Sequence, residues 1–129
     1  MTPLLHSPFD GLLHTGAVVR RVVLDEPRSR LWIKSDAGWH SYDADGDCCS
    51  YSWWFRLRGV ENLIGRTVLG VFEPDLEDVD VNDGCGYQEE DEKYGYVIRT
   101  AAGDFEVCFR NSSNGYYGGY LTASFYPAV

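Results

Sequence analysis

The sequence predicts an all-β fold, or a mainly β fold with a short helical turn, arranged as a β-sandwich or barrel of about eight strands. Three observations lead to this prediction. Short apolar and aromatic runs alternate with turn residues, aromatic residues make up 15% of the chain, and one pattern occurs twice. We treat residues 1–129 as a single domain, because this length is enough for one hydrophobic core.

The first half is interpreted as an irregular N-terminal arm followed by four strands. Residues 1–15 contain Pro3, Pro8 and Gly11, which disfavour long regular elements, so at most a short helical turn ends the arm. Runs rich in β-branched and aromatic residues predict strands at 17–24, 30–34, 39–42 and 50–57. Residues 35–38 are predicted to form a turn, and the acidic residues 43–47 a loop.

The second half adds a helical turn over residues 60–65, which Gly65 ends. Further strands are predicted at 67–72, 94–100, 105–109 and 117–125. Residues 73–93 hold ten of the twenty acidic residues and no basic residue before Lys93. We therefore predict an exposed acidic loop there, inserted between two strands.

An internal repeat relates the two halves. Residues 33–38 match residues 98–103 at an offset of 65, and Gly16, Val19 and Val22 match Gly65, Val68 and Val71 at an offset of 49. An insertion at the acidic loop explains the difference of 16 between the offsets. Two repeated hairpin units would bring the bends at residues 45–50 and 110–115 to one end of the sandwich or barrel.

Charge and hydropathy restrict the partners that we expect. The net charge of −9 argues against binding to nucleic-acid backbones, which requires a basic surface. No run approaches the roughly 20 apolar residues of a membrane span, and residues 1–10 do not form a secretory signal. We expect a cytoplasmic protein with reduced cysteines.

The stretch from Phe109 to Tyr120 is the first candidate site. Its turn residues could present backbone N–H groups to an anion, an arginine adds positive charge, and tyrosines can stack on a ring. A small nucleotide would suit such a site. The alternative is a hairpin connection whose tyrosines lie in the core. The candidate ligand-binding residues are Arg110, Asn111, Ser112, Ser113, Asn114, Tyr116 and Tyr117.

Three consecutive aromatic residues, Trp53, Trp54 and Phe55, form the second candidate site. In a strand they alternate between the two faces, so at least one faces outward unless both faces are covered. Together with Cys48 and Cys49 in the preceding bend, they are candidates for an interface with a host protein or with a second copy. The alternative is a strand that is buried on both faces.

Metal binding and catalysis have weaker signals. The candidates for calcium ligands are Asp78, Asp80, Asn82 and Glu89, although Asp83 stands where a calcium loop requires glycine. No other cofactor is expected. Cysteine catalysis would require Cys48 or Cys49 beside His40 and an aspartate, either Asp43 or Asp47. The alternative is that both cysteines are small packing residues.

Three motifs resemble those of a family of small uncharacterised domains from bacteriophages, notably those of actinobacteria, and from some bacteria. The similarity covers roughly residues 44–122. Its motifs are Gly46-Asp47-Cys48-Cys49-Ser50-x-Ser52-Trp53, Gly59-Val60-Glu61-Asn62-Leu63-Ile64-Gly65 and Phe109-Arg110-Asn111-Ser112-Ser113-Asn114-Gly115-Tyr116-Tyr117-Gly118-Gly119. The resemblance implies a phage or prophage origin and expression inside a bacterial host. No catalytic role can be carried over from it, because no activity is attached to the family.

These observations together predict a phage-type accessory protein that acts without catalysis, by binding a host protein or by self-association. The alternative is a protein of the counter-defence type that binds a small molecule or a nucleotide signal. A cysteine-dependent enzyme is the third interpretation.

Overall fold

Strands form most of the structure, a computed structural model that describes residues 2–46, 51–74, 90–113 and 119–128. The helices are short. The elements in chain order are β1 (Thr2–Pro3), α1 (Asp10–Thr15), β2 (Val19–Asp25), a 3₁₀ turn (Glu26–Arg28), β3 (Arg30–Ser35), β4 (Gly38–Gly46), β5 (Tyr51–Arg58), α2 (Val60–Leu63), β6 (Gly70–Glu73), β7 (Glu90–Thr100), β8 (Gly103–Ser113) and β9 (Gly119–Pro127).

The strands form two antiparallel sheets. Sheet I has the order β1-β6-β7-β8-β5, and sheet II has the order β2-β3-β4-β9. The predicted all-β class is confirmed. Within the described residues the strands make two separate, sandwich-like sheets and no closed barrel.

Several strands extend beyond their predicted ends. β4 continues to Gly46 through residues predicted as a loop, and β8 continues to Ser113 through residues predicted as a turn. β7 begins at Glu90, inside the segment predicted as an acidic loop, while residues 75–89 lie outside the described part of the chain. A long ladder with a neighbouring strand outweighs the local turn preference of aspartate, asparagine and serine.

The core lies between the sheets and includes part of the N-terminal arm. Leu31, Ile33 and Ile98 are fully buried. Phe9, just before α1, is also fully buried, and its ring centroid lies 4.4 Å from that of Tyr42 and 5.3 Å from that of Tyr96. The arm was predicted to be irregular, but its aromatic ring packs between residues of both sheets.

The strand registers follow the sequence repeat. Val22 pairs with Ile33 in sheet II, and the matching residues Val71 and Ile98 pair in sheet I. The hairpin turns also correspond: Ser35 pairs with Gly38, and Thr100 pairs with Gly103.

The turn chemistry is repeated as well. The hydroxyl of Ser35 accepts a hydrogen bond from the Ala37 N–H at 3.2 Å, and the hydroxyl of Thr100 accepts one from the Ala102 N–H at 3.2 Å. The helices extend the repeat at its start. A left-handed glycine follows each of them, Gly16 (φ 63°) after α1 and Gly65 (φ 78°) after α2. Each unit is therefore a short helix followed by four strands.

The last strand of each unit pairs with the other unit. β5 ends the first unit but pairs with β8 in sheet I, and β9 ends the second unit but pairs with β4 in sheet II. This exchange places the flanks of two bends at one end of the molecule, where Gly46 pairs with Gly119 and Tyr51 pairs with Ser112. Residues 47–50 and 114–118, the tips of these bends, lie outside the described residues.

Candidate functional site

The outer face of sheet II carries a cluster of aromatic side chains. On β3, Leu31 and Ile33 point into the core, so Trp32 between them points outward. The register places Trp39 of β4 beside Tyr126 of β9 on the same outer face. We call Trp32, Trp39 and Tyr126 the aromatic face.

The three rings contact one another in favourable geometries. The centroids of Trp32 and Trp39 are 5.9 Å apart with the rings edge to face, and those of Trp32 and Tyr126 are 5.7 Å apart. Both distances lie in the range at which aromatic pairs attract each other. Tyr126 remains 52% exposed, and both tryptophans are half-buried. The aromatic face is thus ordered by its own packing but still open to a partner.

A groove runs along this face. Its volume is about 360 Å³, and its walls are formed by the aromatic face with Arg21 and Val23 of β2. Apolar atoms dominate the lining, with the Arg21 guanidinium as its charged group. The groove can therefore receive an apolar or planar group that carries negative charge at one side.

The positively charged side chains around the aromatic face differ in whether an acidic side chain pairs with them. Arg30 lies 5.6 Å from the Trp32 ring and makes a bidentate ion pair with Asp43, at 2.5 and 3.0 Å, which raises the pKa of Arg30. Lys34 lies 5.7 Å from the Trp39 ring. Neither Lys34 nor Arg21 makes an ion pair with another described residue. Two cations on this face thus remain available to an acidic partner.

The predicted tryptophan interface divides between the two faces of β5. Trp54 is only 6% exposed, and its indole N–H donates to the Tyr42 carbonyl oxygen at 3.1 Å. Trp54 is therefore a core residue, because the alternation of β5 turns it inward, and it cannot anchor a partner. Trp53 is half-buried on the opposite face, 5.7 Å from the Arg110 guanidinium. The side chain of Phe55, and the whole of Cys48 and Cys49, lie outside the described part.

The predicted ligand site includes two buried residues. Arg110 is 2% exposed, and the loss of solvent lowers its pKa. Asn111 is fully buried, and its amide donates to the Ser52 hydroxyl at 2.8 Å. This burial removes both side chains from the open surface that the ligand site requires. Ser112 and Ser113 belong to β8 with side chains that are not described, and Asn114, Tyr116 and Tyr117 lie outside the described residues.

Of the predicted cysteine-based catalytic group, the structure describes His40 and Asp43, whereas Cys48, Cys49 and Asp47 lie outside the described residues. His40 faces the core, where its Nε2 lies 2.9 Å from the Ser35 hydroxyl, and burial lowers its pKa. Asp43 faces outward and binds Arg30, so these two residues do not meet. The described cysteine Cys108 is buried, which raises the pKa of its thiol to about 11 and keeps it protonated at neutral pH.

The predicted calcium ligands Asp78, Asp80, Asn82 and Glu89 lie outside the described residues. Among the residues that the structure describes, no three histidine, cysteine or carboxylate side chains come together as a metal site. Of the described helices, none has the length and apolar character to cross a bilayer.

The aromatic face was not predicted from the sequence, although the residue pattern around Trp32 indicates it. Trp32 stands between two aliphatic residues in a strand with charged residues at Arg30 and Lys34. Strict alternation assigns this tryptophan to the polar face, where an exposed indole is unusual. Tyr126 lies one residue beyond the predicted end of the last strand.

Comparisons with known proteins identify relatives but no activity. The family model described as "Domain of unknown function (DUF7448)" matches residues 17–122. The chain is similar to the "Uncharacterized protein L278" of Acanthamoeba polyphaga mimivirus, with 28% identity over 116 residues, which span 86% of this chain and 90% of the relative. No solved structure matches the chain.

Proposed function

We propose that this chain, which belongs to the DUF7448 family, is a viral-type accessory protein that binds a protein partner through the aromatic face and performs no catalysis. The observation that carries the proposal is the groove between Trp32, Trp39 and Tyr126, with Arg21 in its wall and Lys34 beside it. The similarity to a mimivirus protein supports the part of the proposal that assigns the chain to a virus.

The composition of the groove favours a protein partner. Tryptophan, tyrosine and arginine are the residues that most often dominate protein interfaces, because each offers a large contact area with a polar group. An apolar side chain of the partner would fill the groove, and a neighbouring carboxylate would meet Arg21 or Lys34. The partner would therefore present an apolar residue flanked by acidic ones.

The proposal is tested by comparing the partner binding of the wild-type chain with that of the variant Trp39→Ala. Proteins captured from a host-cell lysate by the wild-type chain are identified, and the partner is purified for calorimetry. We expect Trp39→Ala to weaken its binding at least about 30-fold, the loss typical of a central interface tryptophan. Arg21→Ala should weaken binding by a smaller factor that shrinks at high salt.

Leu69→Ala is the control, because Leu69 is an apolar surface residue, 62% exposed, that does not line the groove. It should bind as the wild type does. Thermal unfolding of each variant verifies that it is folded. A partner that binds the folded Trp39→Ala and wild-type chains equally well would contradict the proposal.

A further inference from the structure

β9 forms an open edge of sheet II. It pairs with β4 in nine consecutive positions, from Gly46 with Gly119 to Gly38 with Pro127, without a register shift. On its other side it pairs with no strand in the part of the chain that the structure describes. The backbone N–H and C=O groups on that side are thus available to another strand, except the Gly119 N–H, which donates to the Tyr94 hydroxyl at 3.2 Å.

The other three sheet edges carry features that block pairing. β1 has two residues, one of which is Pro3. β2 carries Arg20 and Arg21 and has a register irregularity after Val19. β5 carries Arg56 and Arg58 and has an irregularity after Trp54. Charges, proline and bulges are the usual protection of an edge strand.

β9 has none of this protection before its last residue. Its sequence, Gly-Tyr-Leu-Thr-Ala-Ser-Phe-Tyr-Pro, contains no charged residue. Three of its aromatic side chains are widely exposed: Tyr120 at 48%, Phe125 at 46% and Tyr126 at 52%. An uncharged, regular and partly apolar edge is the form that natural proteins avoid unless another strand covers it.

We propose that a second copy of this chain covers the edge, with the two β9 strands antiparallel about a two-fold axis at Ala123. This register places Tyr120 opposite Tyr126 of the second copy, and Leu121 opposite Phe125 of the second copy. Cross-strand pairs of aromatic and large apolar side chains stabilise antiparallel strands. The small Ala123 lies on the axis, where two identical side chains meet.

The distribution of charge favours this arrangement despite the net charge of −9. Residues 17–46, which contain β2, β3 and β4, have five basic and five acidic residues, and β9 has no charge. The excess of acidic residues lies elsewhere, with ten of the twenty in residues 73–93, whose described parts belong to sheet I. Two copies joined through sheet II therefore meet along its neutral edge.

The dimer goes beyond the proposed function and does not depend on it. It joins the two copies of sheet II into one eight-stranded sheet, in which the two aromatic faces lie on the same side. A closed two-fold pairing also removes the open edge, so it does not continue into fibres.

The test uses charge pairs across the β9 contact. Sedimentation equilibrium of the full chain should give twice the 14.6 kDa mass of one copy. In the proposed register, Thr122 lies opposite Ser124 of the second copy. The double variant Thr122→Lys/Ser124→Lys places lysine opposite lysine, and Thr122→Glu/Ser124→Glu places glutamate opposite glutamate. Each double variant should raise the dissociation constant of the dimer more than about tenfold.

An equimolar mixture of the lysine and glutamate variants should recover the dimer mass, because each lysine then faces a glutamate. The control Ala101→Lys/Ala102→Lys adds the same charge at the exposed β7–β8 turn and should stay dimeric. Circular dichroism verifies that every variant is folded. A monomeric wild type at several hundred micromolar, a lysine variant that is as dimeric as the wild type, or a mixture that stays monomeric would overturn the proposal.

The two proposals fail separately. Trp39→Ala should retain the dimer mass even if it no longer binds the protein partner. Loss of dimerisation in this variant would contradict the β9 contact, since Trp39 is on β4 and not on the edge strand.

Discussion

His40 is a titratable residue enclosed by apolar neighbours. Its ring centroid lies 4.7 Å from that of Phe125. Gly11 lies so close to the ring that a Cβ atom added there would be 3.7 Å from the His40 Nδ1. Nε2 is satisfied by the Ser35 hydroxyl at 2.9 Å. Burial disfavours the protonated ring, so the pKa of His40 in the folded protein is below its ordinary value of 6.5.

This burial predicts a loss of stability in mild acid. The unfolded chain takes up the proton first, so the full stability is present above about pH 6.5 and falls between that pH and the lower pKa of the folded state. The loss is at most about 1.4 kcal/mol per pH unit. We expect the free energy of unfolding of His40→Gln, measured in urea from pH 7.5 to 5, to fall less steeply than that of the wild type.

His14→Gln is the control for this measurement, because His14 is exposed. The change in slope relative to the wild type should be larger for His40→Gln than for His14→Gln. Equal slopes for His40→Gln and the wild type would mean that His40 does not set the acid sensitivity.

At the scale of elements, the two repeated hairpins have turns of the same geometry but different surroundings. Gly38 and Gly103 have φ values of 144° and 141°, which side-chain-bearing residues rarely adopt. A Cβ at Gly38 would lie 2.2 Å from the Tyr126 carbonyl oxygen, which belongs to the backbone of β9. The three atoms nearest to a Cβ at Gly103 all belong to the Asn62 side chain, and the nearest lies at 3.0 Å.

This difference predicts unequal costs for two matched substitutions. Gly38→Ala should lower the free energy of unfolding by about 3 kcal/mol or more, because the β9 backbone cannot move away without loss of its ladder. Gly103→Ala should cost about 1–2 kcal/mol, because the Asn62 side chain can move aside by giving up its 3.0 Å hydrogen bond to the Asp104 carbonyl oxygen. Gly65→Ala has open space around it and should cost about 1 kcal/mol from backbone strain alone.

Urea denaturation of the three variants gives these values. Equal losses for Gly38→Ala and Gly103→Ala would contradict the role of the β9 contact and assign the whole cost to backbone strain.

The hairpins could be predicted from sequence because their information is local. Turn residues such as Ser35 and Gly38 stand directly beside the apolar runs that they connect, and at an offset of 65 the repeat has another hydroxyl residue, Thr100, and another glycine, Gly103. The pairing partners of β5 and β9 could not be predicted in this way. The residues that pair there, such as Trp54 with Phe109, are far apart in sequence, and no local pattern records the contact.

The aromatic face could not be predicted from sequence for a related reason. Trp53 and Trp54 attracted attention because they are adjacent, but adjacency in a strand separates side chains to opposite faces. Trp32, Trp39 and Tyr126 come together only through the registers of β3 with β4 and of β4 with β9. Likewise, the polarity pattern predicts that the strand ends at Phe109, but β8 continues to Ser113 and Arg110 within it is buried.

At the scale of the whole molecule, each repeat unit depends on the other to complete its sheet. β4 has β9 as its second neighbour, and β8 has β5. A unit in isolation would lack a neighbour for one of its central strands and would expose the core face that its partner covers. We therefore expect the two units to unfold as one cooperative structure.

This dependence predicts complementation between fragments. Residues 1–58 and residues 59–129, expressed separately, should show the circular dichroism of unfolded chains, and an equimolar mixture should regain β-structure. A fragment of residues 59–118, which lacks β9, should complement less well because β4 then keeps an open side. A stable fold of residues 1–58 alone would contradict the dependence.

The exchange of β5 and β9 between the two units also suggests how such a chain can arise. A gene for a single unit would encode three strands of one sheet and the closing strand of another. Such a product could complete its three-stranded sheet only by receiving the closing strand of an identical molecule, to which it gives its own closing strand in return. Tandem fusion of two such genes would convert that reciprocal exchange into the internal symmetry seen in the present chain.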